Sequence, residues 1–181
     1  FNMTVDEHHN YNVITSTEDQ KYITSSGVCL KNCGEIWLEP YGCCDLGSLV
    51  LPRFITKSGA LNKKLLAQTI NTAVRFLDDV LEVNYYPLKA IEENAKITRR
   101  VGLGVMGLHD MLIRMGMKYS SDQALEFVDS LFSFIKKKAY EASIFLAAEK
   151  GQFPALDRGK FVESGFCKSC LSEGMRERVM Q

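Results

Sequence analysis

Apolar side chains recur at every third or fourth position through most of the chain after residue 60, which is the spacing of one face of an α-helix. The strongest run predicts an amphipathic helix over about residues 62–84. Pro87 marks the end of that helix, and a shorter helix is predicted over about 88–98. This part of the chain is therefore expected to be mostly helical.

Three further helices are predicted toward the C-terminus. Leucines and methionines at helical spacing predict one over about 103–115. Ser120 and Ser121 with Asp122 are suitable to cap the start of a long helix that ends before Gly151. Residues 152–171 are expected to be looser, and a last helix is predicted to begin near Ser172.

The first 60 residues lack the helical spacing. Residues 1–32 are rich in Thr, Ser, Asn and Val, with short β-favouring runs between polar turn-formers. Residues 33–47 contain several glycines and one proline and are predicted to form a loop. A strand is predicted over 48–55, where Pro52 restricts it to a sheet edge or a strand end.

The composition is typical of a soluble globular protein, with 46% hydrophobic residues in a chain of 181. The formal net charge is zero, which argues against a nucleic-acid partner because such surfaces need a basic excess. No apolar stretch approaches the ~20 residues that cross a bilayer, and the N-terminus lacks the features of a signal peptide. Six cysteines without an export signal favour a reducing cytoplasm. A chain that starts without Met is expected to be a fragment or a processed product.

The most specific stretch for chemistry is the predicted loop, which contains Cys33, Glu35 and Cys44. Its two thiols stand eleven positions apart, and a carboxylate follows the first thiol by two residues. A thiol beside a carboxylate suits radical or redox chemistry, in which sulfur gives up a hydrogen atom and oxygen handles the proton. On these residues alone, a surface loop with incidental cysteines is an equal alternative.

This loop, residues 33–48, resembles the finger loop of class II (adenosylcobalamin-dependent) ribonucleotide reductases. The family pattern is Asn-Pro-Cys-Gly-Glu, then about eight residues, then Cys-Asn-Leu-Gly-Ser. Here the matching letters are Cys33-Gly34-Glu35 and Cys44-Asp45-Leu46-Gly47-Ser48. The resemblance continues to the end of the chain through residues 72–80, 99–108, 139–143 and 149–151.

The resemblance implies an α/β fold, namely part of a ten-stranded α/β barrel with the finger loop through its centre. By matching position, Cys33 is expected to carry the thiyl radical that removes the 3′ hydrogen of a ribonucleotide. Glu35 is expected to be the general base at the 3′ hydroxyl, and Cys44 one of two cysteines that reduce the 2′ carbon. Cys43 is expected to be a bystander. The cofactor implied is adenosylcobalamin (cobalamin).

The family also implies partners. These are a ribonucleotide substrate, either a diphosphate or a triphosphate, and a thioredoxin-like reductant. A homodimer of the complete protein is compatible with the resemblance. The sequence leaves the allosteric effectors and the oligomeric state open.

Gly102, Gly104 and Gly107 satisfy the G-x-G-x-x-G pattern of dinucleotide-binding sites. Such a site needs a strand before the glycines and an acidic residue about 20 positions later, within a βαβ unit. Helical sequence was expected on both sides here, so tight packing at the start of a helix is the preferred interpretation.

The residues before Cys33 depart from the reductase pattern, because Lys31 stands where the family has Asn. Residues 1–11 resemble the C-terminal block of inteins, which ends its strand in His-Asn-Phe or His-Asn-Tyr. Inteins end in Asn followed by Cys, Ser or Thr, and Asn32-Cys33 fits that junction. The resemblance implies that residues 1–32 are an intein C-terminal segment and residues 33–181 a fragment of the reductase barrel.

Splicing requires these residue types. The Cys33 thiol accepts the acyl chain, and the Asn32 amide attacks its own carbonyl and cuts the bond. His9 would polarise or protonate the junction. Lys31 departs from the His that inteins usually have there, and it donates a proton less readily near neutral pH. The alternative is a divergent β segment of the reductase itself.

The splicing hypothesis makes an N-terminal reductase and intein fragment the partner of this chain. The intein is either naturally split or left behind in a truncated gene. In both cases the chain alone is expected to be inactive.

Two other classes of protein remain as alternatives. Cys29 with Cys33, and Cys167 with Cys170, are two close pairs that would make a zinc-binding structural module if they met. More than a hundred residues separate the pairs, so loop thiols without function are the preferred interpretation of Cys167 and Cys170. The second alternative is a non-catalytic helical remnant of a reductase, which would fail to splice.

Overall fold

The computed structural model describes residues 11–13, 28–30 and 38–181. The chain divides into two compact units, residues 1–40 and residues 41–181. In the first unit, strand β1 (Tyr11–Val13) pairs antiparallel with strand β2 (Val28–Leu30). This pairing agrees with the β-favouring composition of the N-terminal residues.

The second unit is mostly helical and contains two strands. Its elements are, in chain order, β3 (Asp45–Val50), a 3₁₀ turn (Leu51–Phe54), α1 (Lys63–Val83), α2 (Lys89–Thr98), β4 (Val101–Met106), α3 (Leu108–Arg114), α4 (Asp122–Lys150), α5 (Arg158–Glu163), α6 (Gly165–Cys170) and α7 (Glu173–Met180).

Strands β3 and β4 are parallel, with Asp45 opposite Val101 and Val50 opposite Met106. Parallel neighbours need a long crossover connection, and α1 and α2 provide it. Helix α1 packs against both strands on one side and against α4 on the other. The unit is therefore a β-α-β arrangement covered by a long helix.

The main core lies where β3, the 3₁₀ turn, α1, α3 and α4 meet. Its buried side chains are apolar: Leu49, Leu51, Phe54, Leu66, Ile70, Val74, Met111, Leu131, Ile135, Ala142 and Leu146. Fully burying a side chain such as Leu or Ile contributes about 1.5–3 kcal/mol relative to leaving it in water. A smaller cluster of Cys167, Leu171 and Met175 packs beside Tyr140, Ile144 and Phe161.

The strongly periodic helix predictions are confirmed. Helix α1 begins after Asn62, whose side chain accepts a hydrogen bond from the Leu65 N–H at 3.0 Å. Helix α4 begins after Ser121, which caps Ala124 in the same manner. The predictions for α2 and for the last helix, α7, are also confirmed.

Three sequence predictions are wrong. The helix predicted over 103–115 is strand β4 for its first part, because glycines alternate with apolar residues there and a helix disfavours glycine. The strand predicted over 48–55 lies at residues 45–50, since Pro52 starts a 3₁₀ turn instead. Residues 152–171, predicted to be looser, contain α5 and α6, which Asp157 and Ser164 cap.

An ion-pair network fixes the segment that leads into β4. Arg99 ends α2 in the left-handed conformation, with φ 44°. Its Nε donates to the Asp78 carboxylate at 2.9 Å, and a second guanidinium nitrogen donates to the Asp78 carbonyl at 3.1 Å. Arg99 also pairs with Glu82, and Lys150 of α4 bonds Asp78 at 2.6 Å. The network thus joins α1, the end of α2 and the end of α4.

Gly107 allows α3 to start against the 3₁₀ turn. Its φ is 74°, and a Cβ placed on it would lie 2.8 Å from Cδ of Pro52. Gly116 also has positive φ, at 70°, but a Cβ there would meet nothing within 4 Å. Both glycines therefore need a positive φ, but only at Gly107 would a side chain also meet a close neighbour.

Gly107→Ala is expected to destabilise the chain more than Gly116→Ala. Both changes force alanine into the left-handed region, at about 1–2 kcal/mol each. Gly107→Ala adds a contact with Pro52 that costs about 1–3 kcal/mol more. Urea denaturation followed by circular dichroism measures both, and equal losses would contradict the proposed contact.

Asp78→Asn is expected to lower the free energy of unfolding by about 1–2 kcal/mol at neutral pH. Burial raises the pKa of Asp78, but hydrogen bonds and charge from Lys150 and Arg99 outweigh burial and hold that pKa below its usual range. The Asp78 contribution is therefore complete above the unfolded-state pKa of about 3.9 and is lost as the pH falls further toward the folded-state pKa.

Asp79→Asn is the matched control, because Asp79 is more exposed than Asp78 and its ion pair within residues 38–181 is with Lys150. Its cost at neutral pH is expected to be smaller. Denaturation curves of both variants at neutral pH and at pH values below about 4 measure the difference. A cost of Asp78→Asn that is unchanged at low pH would show that the charge of Asp78 is not what stabilises the chain.

Candidate active site

Cys44 lies directly before β3, at the end of the segment that the sequence singled out for chemistry. Cys43 and Cys44 are both half-buried and neither forms a disulfide. The Cys44 thiol donates a weak hydrogen bond to the Asp45 carbonyl, with sulfur and oxygen 3.8 Å apart. A reduced, half-buried thiol at the end of a strand is held in place and remains able to react.

The neighbouring strand has a glycine opposite this region. Leu46 is paired with Gly102 across the β3–β4 ladder. A Cβ placed on Gly102 would lie 2.5 Å from Cδ2 of Leu46 and 3.7 Å from Sγ of Cys44. The absence of a side chain at 102 therefore leaves room for the Leu46 side chain, which lies over Gly102 beside the Cys44 thiol.

Two more glycines contribute to the same close packing. A Cβ on Gly47 would lie 3.4 Å from Cδ2 of Leu77, so α1 approaches β3 closely at this point. A Cβ on Gly104 would lie 3.4 Å from Oγ of Ser48. Small residues on both strands therefore bring β3, β4 and α1 together around the residues that follow Cys44.

The role expected for the G-x-G-x-x-G glycines needs a correction. They were expected to pack the start of a helix, but Gly102 and Gly104 lie within β4, and Gly107 alone precedes a helix. A dinucleotide fingerprint places its glycines after the strand, where the backbone approaches the pyrophosphate. Here Gly102 and Gly104 instead lie within β4, where they face the neighbouring strand β3.

Tyr86 also lies in this region, and no sequence pattern identified it. Its hydroxyl donates to the Leu81 carbonyl at 3.0 Å. Burial raises the pKa of Tyr86 and the Asn84 side chain lowers it, while the nearby Cys43 and Asp45 raise it. Tyr86 therefore stays neutral at pH 7 beside the cysteine pair. The sequence contains seven tyrosines, and no motif distinguishes Tyr86 from the others.

The other predicted site residues, Cys33, Glu35, Asn32 and His9, lie outside the described residues. Cys44 is the predicted site residue that the structure places.

The zinc alternative gains no support from the described part of the chain. Residues 11–13, 28–30 and 38–181 contain no group of three or more His, Cys, Asp or Glu side chains placed to hold a metal ion. His109 of α3 packs against Tyr119, with ring centroids 5.1 Å apart and the ring planes tilted by 52°. None of the described helices is both long and apolar enough to cross a membrane.

The chain matches the family model described as the ribonucleotide reductase barrel domain over residues 2–178. It is 43% identical over 123 residues to a vitamin B12-dependent ribonucleoside-diphosphate reductase of Thermoplasma acidophilum, covering 68% of this chain and 16% of that protein. It is 42% identical over 133 residues to a protein of the same name from Mycobacterium tuberculosis, covering 74% of this chain and 19% of that protein.

A more distant match is to the ribonucleoside-diphosphate reductase subunit alpha of Chlamydia trachomatis. The two are 37% identical over 152 residues, covering 82% of this chain and 14% of that protein. The chain thus spans less than a fifth of the length of these relatives. Since the family match includes nearly every residue, the chain belongs to the ribonucleotide reductase family and represents part of its barrel domain.

Proposed function

We propose that this chain is the part of an adenosylcobalamin-dependent ribonucleotide reductase that supplies the radical cysteine, the general base and one redox cysteine. The observation that carries the proposal is the position of Cys44, a reduced thiol at the start of β3 with the bare backbone of Gly102 beside it. The names of the two B12-dependent relatives support the cofactor, and they indicate ribonucleoside diphosphates as the substrate.

In the proposed reaction, the thiyl radical of Cys33 removes the 3′ hydrogen atom of the ribose. Glu35 accepts the proton of the 3′ hydroxyl while the 2′ hydroxyl leaves as water. Cys44 and a second cysteine supply two electrons and two protons, of which one proton leaves with the 2′ hydroxyl as water and the other adds to the 2′ carbon, and the two thiols become a disulfide. Glu35 returns its proton to the 3′ oxygen. Cys33 then returns its hydrogen atom to the 3′ carbon. A thioredoxin-like dithiol reduces the disulfide for the next turnover.

The surroundings of Cys44 support the role of a redox thiol. Its position before β3 is fixed by the ladder with β4, so the sulfur is oriented before the substrate arrives. Cys44 is half-buried and not enclosed, so its thiol remains accessible to a second thiol. A second sulfur must approach to within about 2.05 Å to form a disulfide, which a crowded thiol would not permit.

Adenosylcobalamin supplies the radical chemistry when it is bound. Clefts of about 370–480 Å³ are lined by residues of the described part of the chain, and they lie between helices or beside the 3₁₀ turn. Clefts of this size suit a drug-sized molecule and do not fit a corrinoid. We therefore assign none of the described residues to the cofactor and derive no step through it.

The rest of the barrel is proposed to come from other segments of the complete protein. A single parallel strand pair corresponds to two of the ten strands expected for the barrel. The second redox cysteine is expected on a segment outside this chain. The 181-residue chain is therefore expected to be inactive alone, and a homodimer is expected only of the complete enzyme.

Cys44→Ser in the complete enzyme is expected to abolish formation of the deoxyribonucleotide, since one of the two reducing thiols is lost. Abstraction of the 3′ hydrogen depends on Cys33 and should persist. The measurement is release of tritium from a 3′-labelled ribonucleoside diphosphate, together with product analysis. Cys33→Ser should abolish both.

Cys43→Ser is the matched control, because Cys43 is the adjacent, equally half-buried thiol with no proposed role. It should retain the rate of the unaltered enzyme. Product formation by Cys44→Ser, or its loss in Cys43→Ser, would refute the assignment of Cys44. Turnover by the isolated 181-residue chain would refute the proposal that it is only a part of the enzyme.

We further propose that residues 1–32 are the C-terminal segment of an intein and that protein splicing joins Cys33 to an N-terminal reductase segment. The junction letters Lys31-Asn32-Cys33 support this, as do the two short antiparallel strands β1 and β2. The family match includes residues 2–32, which is what the alternative of a divergent reductase segment predicts. The two hypotheses differ in what precedes Cys33 in the cell.

Peptide mass spectrometry of the source cells is expected to find Cys33 bonded to a sequence absent from this chain. That peptide should end in Asn-Pro, as the family pattern requires before the radical cysteine. Asn32→Ala should leave the junction uncut, because the side-chain amide that cyclises is gone. Detection of Lys31-Asn32-Cys33 as the sole junction would refute splicing and leave the reductase assignment untouched.

A further inference from the structure

The C-x-x-C pair of Cys167 and Cys170 has a defined place in the fold. Both were expected to be loop thiols, but both lie on α6. Cys167 is 0% exposed and forms the centre of the small core cluster with Leu171 and Met175. Cys170 ends the helix and is half-buried. One thiol is therefore enclosed, while the other reaches solvent a single helical turn away.

Polar groups surround the accessible thiol. The Ser169 hydroxyl lies 3.4 Å from Sγ of Cys170. The hydrogen bond with Ser169 lowers the pKa of Cys170, burial opposes this, and the ammonium of Lys136 on α4 lowers it further. Cysteines in partly exposed, electropositive surroundings are those that react as thiolates. Cys170 has these surroundings and Cys167 does not.

Lys136 is suited to this contact because it forms no ion pair with a carboxylate of residues 38–181. Within residues 38–181, Lys138 of the same lysine run pairs with Glu141 at 2.6 Å, whereas Lys136 has no carboxylate within 4.0 Å. Lys137, between them, is exposed. The charge of Lys136 is thus directed at the thiol and is not neutralised by an ion pair.

The two thiols stand at the spacing of a redox pair. Helical residues three apart lie on the same face, with Cβ atoms about 5–6 Å apart. Tyr140 lies near both thiols. Burial raises the pKa of Tyr140, and the nearby Cys167 and Cys170 raise it further. A disulfide needs Cβ atoms about 3.5–4.5 Å apart. The last turn of α6 must therefore tighten by a modest amount for the sulfurs to join.

The end of α6 can tighten in this way. The Leu171 N–H now bonds to the Cys167 carbonyl at 3.1 Å, the spacing of an α-helix, and Leu171 is already extended. A shift of this last turn to 3₁₀ geometry would superimpose side chains three residues apart. Since α6 has only six residues, such a change alters one turn and no long helix.

We propose that Cys167 and Cys170 form a thiol–disulfide exchange pair, in which Cys170 attacks low-molecular-weight disulfides and Cys167 resolves the product. The Cys170 thiolate attacks one sulfur of the disulfide RSSR, forms a mixed disulfide and expels RS⁻, which takes up a proton. The Cys167 thiol then loses its proton, attacks Sγ of Cys170 and expels the second RS⁻. One RSSR and two protein thiols thus become one protein disulfide and two RSH.

The first test treats the intact 181-residue chain with glutathione disulfide. Cleavage after Glu163 and Glu173 releases residues 164–173, which contain both thiols. This peptide is expected to lose two hydrogens and to carry no glutathione at completion. Cys167→Ser is expected to retain one glutathione on Cys170, and Cys170→Ser is expected to remain unmodified because Cys167 is enclosed.

The second test compares Lys136→Met with Lys137→Met, so that the buried cluster is left unchanged. Each tenfold loss of thiolate is expected to slow the exchange about threefold, because a less acidic thiol gives a stronger nucleophile. In Lys136→Met, glutathione disulfide should therefore oxidise the thiols of residues 164–173 several-fold more slowly than in the unaltered chain. Lys137→Met should react at the unaltered rate.

Three results would overturn the proposal. One is a glutathione adduct that persists on Cys170 in the unaltered chain, since Cys167 would then not resolve it. The second is an adduct on Cys167 in Cys170→Ser. The third is an equal rate in the two lysine variants. None of these results depends on reductase activity, so the proposed function stands or fails separately.

Discussion

The parallel pairing of β3 with β4 is the constraint on which the second unit depends. The two strands approach closely because Gly102 and Gly104 present no side chains to Leu46 and Ser48. Helix α1 then packs on both strands, and α4 packs on α1. Any side chain at 102 would meet Leu46 well inside van der Waals contact. Glycine in this strand, usually a cost in entropy and packing, here leaves room for the side chains of the neighbouring strand.

The same pairing determines where the predicted redox chemistry can occur. Cys44 precedes the first paired residue of β3, so its backbone is held at the point where the loop becomes sheet. The ladder begins with the Asp45 N–H bonding to the Arg100 carbonyl at 3.2 Å. Arg99, one residue earlier, is fixed by Asp78 and Glu82 of α1. A few contacts therefore fix the positions of α1, β4 and Cys44 relative to one another.

The sequence predicted those features that depend on local periodicity. Helices α1 and α4 have long apolar stripes and capping residues at Asn62 and Ser121, and both were predicted to within a residue or two. Strand β4 was missed although its alternating glycines disfavour a helix, because the strand that it pairs with, β3, lies more than fifty residues away in sequence. Tertiary contact decided between the two structures.

The site was predicted unevenly for a similar reason. Cys44 was identified through a motif that resembles a known family, and the structure places it directly before β3. Tyr86 has no motif, and its proximity to Cys43 arises from the course of the chain after α1. Cys167 and Cys170 were recognised as a pair, but their difference in exposure depends on how α6 packs against α4. The spacing in sequence identified the two thiols as a pair, and their burial distinguishes the enclosed thiol from the accessible one.

The two-stranded sheet has a consequence for how the molecule is assembled. Within residues 38–181, β3 and β4 pair with each other and with no third strand. Each strand therefore has one edge of backbone N–H and C=O groups open to pairing. A sheet of two strands is at best marginal without further strands or covering helices. In the complete enzyme proposed above, the strands that complete the barrel compete with the same edges of other copies of the chain. Dilution and early contact with the missing segments thus favour correct assembly over self-association.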